Sequence, residues 1–220
     1  MEQKGMLSPF TIFTSIITGC FFPALGSLLA AVFLNDIYWT GLILTSIGGF
    51  LTHYLLSHTI HDLYHLDIED RHTTSKQTLK LLLAITIITL FSIALYLTYE
   101  TGWPVMLFAI IGLVVSLYAE GLLHHESQMA FGAMFLVIGA FYVQMGYFMD
   151  VSDVFARGTE WLEAILLSLF AFFSQYGWLL FYRLDDYDWD PKKRNESIII
   201  TKIGLIFLVV MFAVHVFLYQ

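Results

Sequence analysis

Charge is what this chain has least of. Only 13% of its 220 residues are Asp, Glu, Lys or Arg, against roughly a quarter in ordinary soluble domains. Hydrophobic residues make up 58%. That balance excludes a soluble domain of any size and points to an integral membrane protein with a single domain over residues 1–220. Cysteine is nearly absent: Cys20 stands alone inside an apolar run. Disulfides within one chain and multi-thiolate metal sites are therefore excluded. No basic stripe or nucleic-acid motif is present, so nucleic acid is not an expected partner. The formal net charge of −8 follows topology and carries no such meaning.

Long apolar runs are what the chain does have. A helix needs about 20 apolar residues to cross a bilayer core, and seven runs approach that length. They are about Phe10–Phe33, Ile37–His58, Thr78–Leu97, Trp103–His124, Met129–Phe148, Trp161–Tyr182 and Ser197–Leu218. The runs are continuously apolar and do not alternate, which favours helices over barrel strands. The expected fold is all-α, a polytopic bundle of about seven transmembrane helices. Pro23 falls inside the first run and is expected to kink it. Gly48, Gly49, Gly132 and Gly139 read as sites of close helix approach. His53 and His215 read as intramembrane polar residues, each with a neighbouring partner.

The two longest connections follow the second and sixth runs, and with seven spans both lie on the side of the N-terminus. Lys4, Arg71, Lys76, Lys80, Arg183, Lys192, Lys193, Arg194 and Lys202 fall on or near that side, and Arg157 on the other. Nine against one predicts that this side is cytoplasmic in a multi-pass cell-membrane protein. Both connections are acidic. The first begins on a helix exit where His58, His61, Asp62 and His65 follow at i, i+3, i+4 and i+7, on one face if the helix continues. Asp67, Glu69 and Asp70 come next. The second carries Asp185, Asp186, Asp188 and Asp190, then Lys192, Lys193 and Arg194. Helical spacing would put Asp186 and Asp190 on one face.

Two carboxylates about 6 Å apart repel by roughly 3 kcal/mol at an effective dielectric near 20. Convergence of the two acidic stretches would call for a divalent cation. Oxygen ligands suit Mg²⁺, which bridges carboxylates to phosphates, and the basic run supplies phosphate partners.

In order and spacing, these stretches resemble the motifs of the UbiA superfamily of intramembrane prenyltransferases. The nearest likeness is the menaquinone-pathway branch that prenylates dihydroxynaphthoate. That family has N-D-x-x-D-x-x-x-D after its second helix, where this chain reads His61-Asp62-Leu63-Tyr64-His65-Leu66-Asp67-Ile68-Glu69-Asp70. It has D-x-x-x-D after its sixth, where this chain has Asp186 to Asp190 and then Lys192 to Arg194. Gly139-Ala140-Phe141-Tyr142-Val143-Gln144-Met145-Gly146 is similar to the branch's G-x-Y-Y-V-Q-T-G. His61 and His65 stand where the family has Asn and Asp. Seven runs stand against the family's nine helices, so a shortened or altered member is expected.

The resemblance implies helices two and six side by side. It implies Mg²⁺ held by Asp62, Asp67, Asp70, Asp186 and Asp190, with catalysis assigned to Asp62, Asp70, Asp186 and Asp190. His61, His65, Lys192, Lys193, Arg194 and Tyr142 would touch substrate. The reaction implied is prenyl transfer from a polyprenyl diphosphate to an aromatic or lipid acceptor among the membrane lipids. Two other readings compete. One is a non-catalytic lipid- or diphosphate-binding homologue. The other is a membrane di-iron desaturase or hydroxylase, suggested by His61-Asp62-Leu63-Tyr64-His65 and His124-His125. That class needs a further histidine box near the C-terminus, where only His215 occurs.

Overall fold

The computed structural model describes residues 9–65, 75–118 and 126–219. Of these, 92% are helical and none is a strand. The seven expected runs form seven helical stretches. Helix α1 covers residues 9–34, α2 covers residues 39–65, α3 is Lys76–Thr101 and α4 is Pro104–Tyr118. Helix α5 is Glu126–Phe148, α6 is Gly158–Tyr182 and α7 is Pro191–Tyr219. A short helix, Val151–Ala156, precedes α6. Five helices are long and apolar enough to cross a membrane: α3, α6, α7, and the stretches Ile12–Leu34 of α1 and Met129–Phe148 of α5. Helix α4 is described over 15 residues, and α2 is diluted by Thr, Ser, His and Gly.

Local chemistry sets the ends. Ser75 caps α3, its hydroxyl accepting from the Thr78 amide at 3.2 Å, and Gly102 at φ +102° ends it. Such a φ costs glycine nothing and an L side chain a good deal. Asn35 at φ +53° turns the chain out of α1.

The kink expected at Pro23 takes the form of a π-helical turn, Ile17–Phe21. Proline has no N–H, so the Gly19 carbonyl loses its helical donor, and a widened turn absorbs the loss. Helix α2 has a matching π turn, Leu51–Leu56. The two helices cross there, Gly19 against Gly49 and Phe50.

Helix α5 is the hub. It packs against α1, α2, α3, α4 and α6, while α7 packs chiefly on α6. Helix α2 packs on α1, α3, α4 and α5. The described residues give α2 and α6 no shared packed face; each leans on α5 and α1. This departs from the side-by-side arrangement that the resemblance implies.

Gln144 holds the bundle's turn in place. Its side chain is fully buried; its Oε1 accepts from the Tyr38 amide at 2.8 Å, and its Nε2 donates to the Tyr38 carbonyl at 2.9 Å. One side chain thus satisfies both backbone groups of a residue at the α1–α2 turn, where water is excluded. Burial is the first cause pushing the Tyr38 hydroxyl pKa up, helped by a hydrogen bond to Tyr96.

Candidate functional site

Helices α2, α3, α4 and α5, with Thr18 of α1, enclose a cavity of about 420 Å³. Its walls are mostly Leu, Ile, Val, Phe, Met and Ala. No Asp, Glu, Lys or Arg lines it. A volume of this order is typical of small-molecule pockets. Helix α2 contributes a stripe at i, i+3, i+4, i+7, i+8 and i+11: Thr45, Gly48, Gly49, Thr52, His53 and Leu56. Ser57 follows, so the stripe runs roughly 18 Å along the helix at 1.5 Å per residue.

Glycines keep this space open. A Cβ at Gly112 or Gly132 would meet nothing within 4 Å, and at Gly48 only Ile93 at 4.0 Å. Of the four glycines expected to bring helices together, Gly49 does so against Gly19, while Gly139 makes ordinary contact with Phe108 at 3.5 Å. Gly48 and Gly132 instead face the cavity. Sequence alone does not separate these roles, because a packing glycine and a cavity glycine look alike in an apolar run.

The polar groups on the wall have defined partners. The Thr18 hydroxyl donates to Gln175 Oε1 at 2.9 Å, tying α1 to α6. Thr45 donates to the Gly41 carbonyl at 2.8 Å and Thr52 to the Gly48 carbonyl at 2.8 Å. His53 Nδ1 lies 3.2 Å from Ser15 Oγ. His215 Nδ1 lies 3.0 Å from Glu163 Oε2. Both histidines therefore have the neighbouring partner that the sequence suggested.

The first acidic stretch grows out of the cavity wall. Helix α2 continues through Ser57–His65, so His61, Asp62 and His65 sit on the helix directly beyond Leu56 and Ser57. His61 and Asp62 are half-buried. Asp67, Glu69, Asp70 and His124-His125 lie outside the described residues.

The second stretch is not helical throughout. Leu184–Tyr187 is a 3₁₀ turn, then Asp188 and Trp189 take φ of +50° and +55°. That reversal corrects the expected i, i+4 face for Asp186 and Asp190. The turn delivers Asp190 as the cap of α7, with Oδ1 accepting from the Lys192 amide at 3.1 Å. The Asp186 side chain lies outside the described set. Lys193 pairs with Glu196 at 3.0 Å and sits 5.2 Å over the Tyr187 ring. Lys192 and Arg194 are exposed.

Tyr142 is fully buried and its hydroxyl donates to the Thr101 carbonyl at 2.9 Å. It braces the end of α3 and does not line the cavity. Among the described residues, no group of three His, Cys, Asp or Glu is placed to hold a metal ion. Asp62 and Asp190 belong to elements without a shared packed face, so by themselves they do not fit a Mg²⁺ cluster. Comparison with protein-family models, with curated proteins and with solved structures finds no match.

Proposed function

We propose that this chain binds an isoprenoid diphosphate at the membrane face and transfers its prenyl group to an acceptor held in the α2–α5 cavity. One observation carries the proposal. An apolar, uncharged cavity of about 420 Å³ is walled by the same helix that leaves the bundle as Asp62 and the acidic stretch after it. The cavity suits apolar groups, and the charged exit suits a head group that must stay near water. In the reaction, the allylic C–O bond breaks, diphosphate leaves toward the exit, and the acceptor supplies the electron pair of the new bond and loses a proton. The cavity's contribution is to exclude water from the allylic cation. The acidic end is cytoplasmic in this proposal, following the Lys and Arg distribution.

The test is equilibrium binding of tritiated geranylgeranyl diphosphate to purified protein in detergent, with and without Mg²⁺. Saturable binding that Asp62→Asn weakens is the expected result. Absence of saturable binding in either condition overturns the proposal.

A second reading has its own observation. The described residues neither gather a metal centre nor pack α2 on α6. A protein that binds the isoprenoid diphosphate without turning it over would need neither. Product analysis with a hydroxyarene acceptor separates the two: prenylated product supports transfer, and binding without product supports the binder.

A further inference from the structure

The α2 stripe reveals which polar head the cavity takes. Thr18, Thr45 and Thr52 all line it, and each has committed its only hydroxyl proton. Thr18 gives it to Gln175 Oε1, Thr45 to the Gly41 carbonyl and Thr52 to the Gly48 carbonyl. A hydroxyl that donates still has lone pairs to accept with. This wall therefore offers hydrogen-bond acceptors and no spare threonine donor. It also offers no charge, since no ionised carboxylate, ammonium or guanidinium group lines the cavity. Bringing a charged head into such a space would be costly, whereas a neutral O–H group finds a partner there.

We propose that the Thr45–Thr52 stripe binds the hydroxyl of an uncharged hydroxyarene, through hydrogen bonds donated by the ligand to the threonine oxygens. The ring occupies the apolar part of the cavity, where Phe91, Phe108 and Phe135 contribute aromatic wall. Calling this ligand the acceptor rests on the function proposed above; the binding preference stands without it. The preference also has a direction. A hydroxyl is favoured over its methyl ether, which keeps shape and apolarity but cannot donate.

The probes are 1-naphthol and 1-methoxynaphthalene, both fluorescent, titrated against purified full-length protein in detergent. Naphthol should bind roughly five- to tenfold more tightly, the factor expected of one net hydrogen bond. Thr52→Val keeps the side-chain shape and should level the two affinities, while Thr52→Ser should keep the preference. Equal affinities in the wild type, or a preference that survives Thr52→Val in a protein of unchanged melting temperature, overturns the proposal. Should Thr52→Val fail to fold, Thr45→Val with the same two probes decides it in the same way. A naphthol preference without diphosphate binding would sink the transfer reaction and leave this site standing. Diphosphate binding without the preference would do the reverse.

Discussion

Gly49 faces Gly19 so closely that a Cβ on Gly49 would land on the Gly19 carbonyl oxygen. That oxygen is the one Pro23 deprives of a helical donor. The widened turn, the proline and the two glycines thus form a single feature, and it fixes where α1 crosses α2. The crossing in turn presents the Thr52 and His53 face of α2 to the cavity.

Gly49→Ala should therefore destabilise the bundle by about 2–3 kcal/mol or more, because the obstacle is backbone and cannot rotate away. Gly132→Ala should change stability by less than about 1 kcal/mol, since its Cβ meets nothing within 4 Å. Melting of the two variants in the same detergent checks this. Equal losses would contradict the assignment of one glycine to packing and the other to the cavity wall.

Gln144→Leu should cost about 2–4 kcal/mol. It strips the buried Tyr38 amide and carbonyl of their partners at 2.8 and 2.9 Å, and each orphaned buried group costs roughly 1–3 kcal/mol. Gln144→Glu keeps the acceptor and loses the donor, so it should fall between wild type and Leu when its carboxyl is neutral. Reversible unfolding in mixed micelles provides the comparison. A Leu variant as stable as wild type would mean that water or another group replaces Gln144.

Asp190 separates a structural role from an electrostatic one. Asp190→Ala removes the α7 cap and should cost about 1 kcal/mol. Asp190→Asn caps nearly as well and should leave the melting temperature almost unchanged. If Asp190 also balances charge around a bound diphosphate, the Asn variant will bind the diphosphate differently while melting like wild type. Identical binding would confine Asp190 to capping.

The sequence carried the helices well. Continuous apolar runs have a length and composition that the bilayer dictates, and all seven emerged as helix. Pro23 was legible as a break, although a π turn absorbs it where a sharp kink was the expectation. Exits were harder. Carboxylates spaced i, i+4 suggest a helical face only while the helix lasts, and the left-handed Asp188 and Trp189 end it. The cavity was hidden for a different reason. Its wall is Thr, Gly and His at helical spacing, a pattern that close helix packing also produces. Only the neighbours' positions show that Gly112 and Gly132 face open space. Tyr142 and Gln144 were conspicuous in sequence, yet their hydrogen bonds go to backbone at Thr101 and Tyr38.

The central claim is that the α2–α5 cavity holds the apolar part of the ligand. Gly132→Phe places a ring into that space from α5, where its Cβ meets no neighbour within 4 Å. The decisive measurement is the affinity of this variant for tritiated geranylgeranyl diphosphate, taken beside its melting curve. The account predicts at least a tenfold loss of affinity, about 1.4 kcal/mol, with the melting temperature held or raised. Wild-type affinity in a folded Gly132→Phe protein would contradict it.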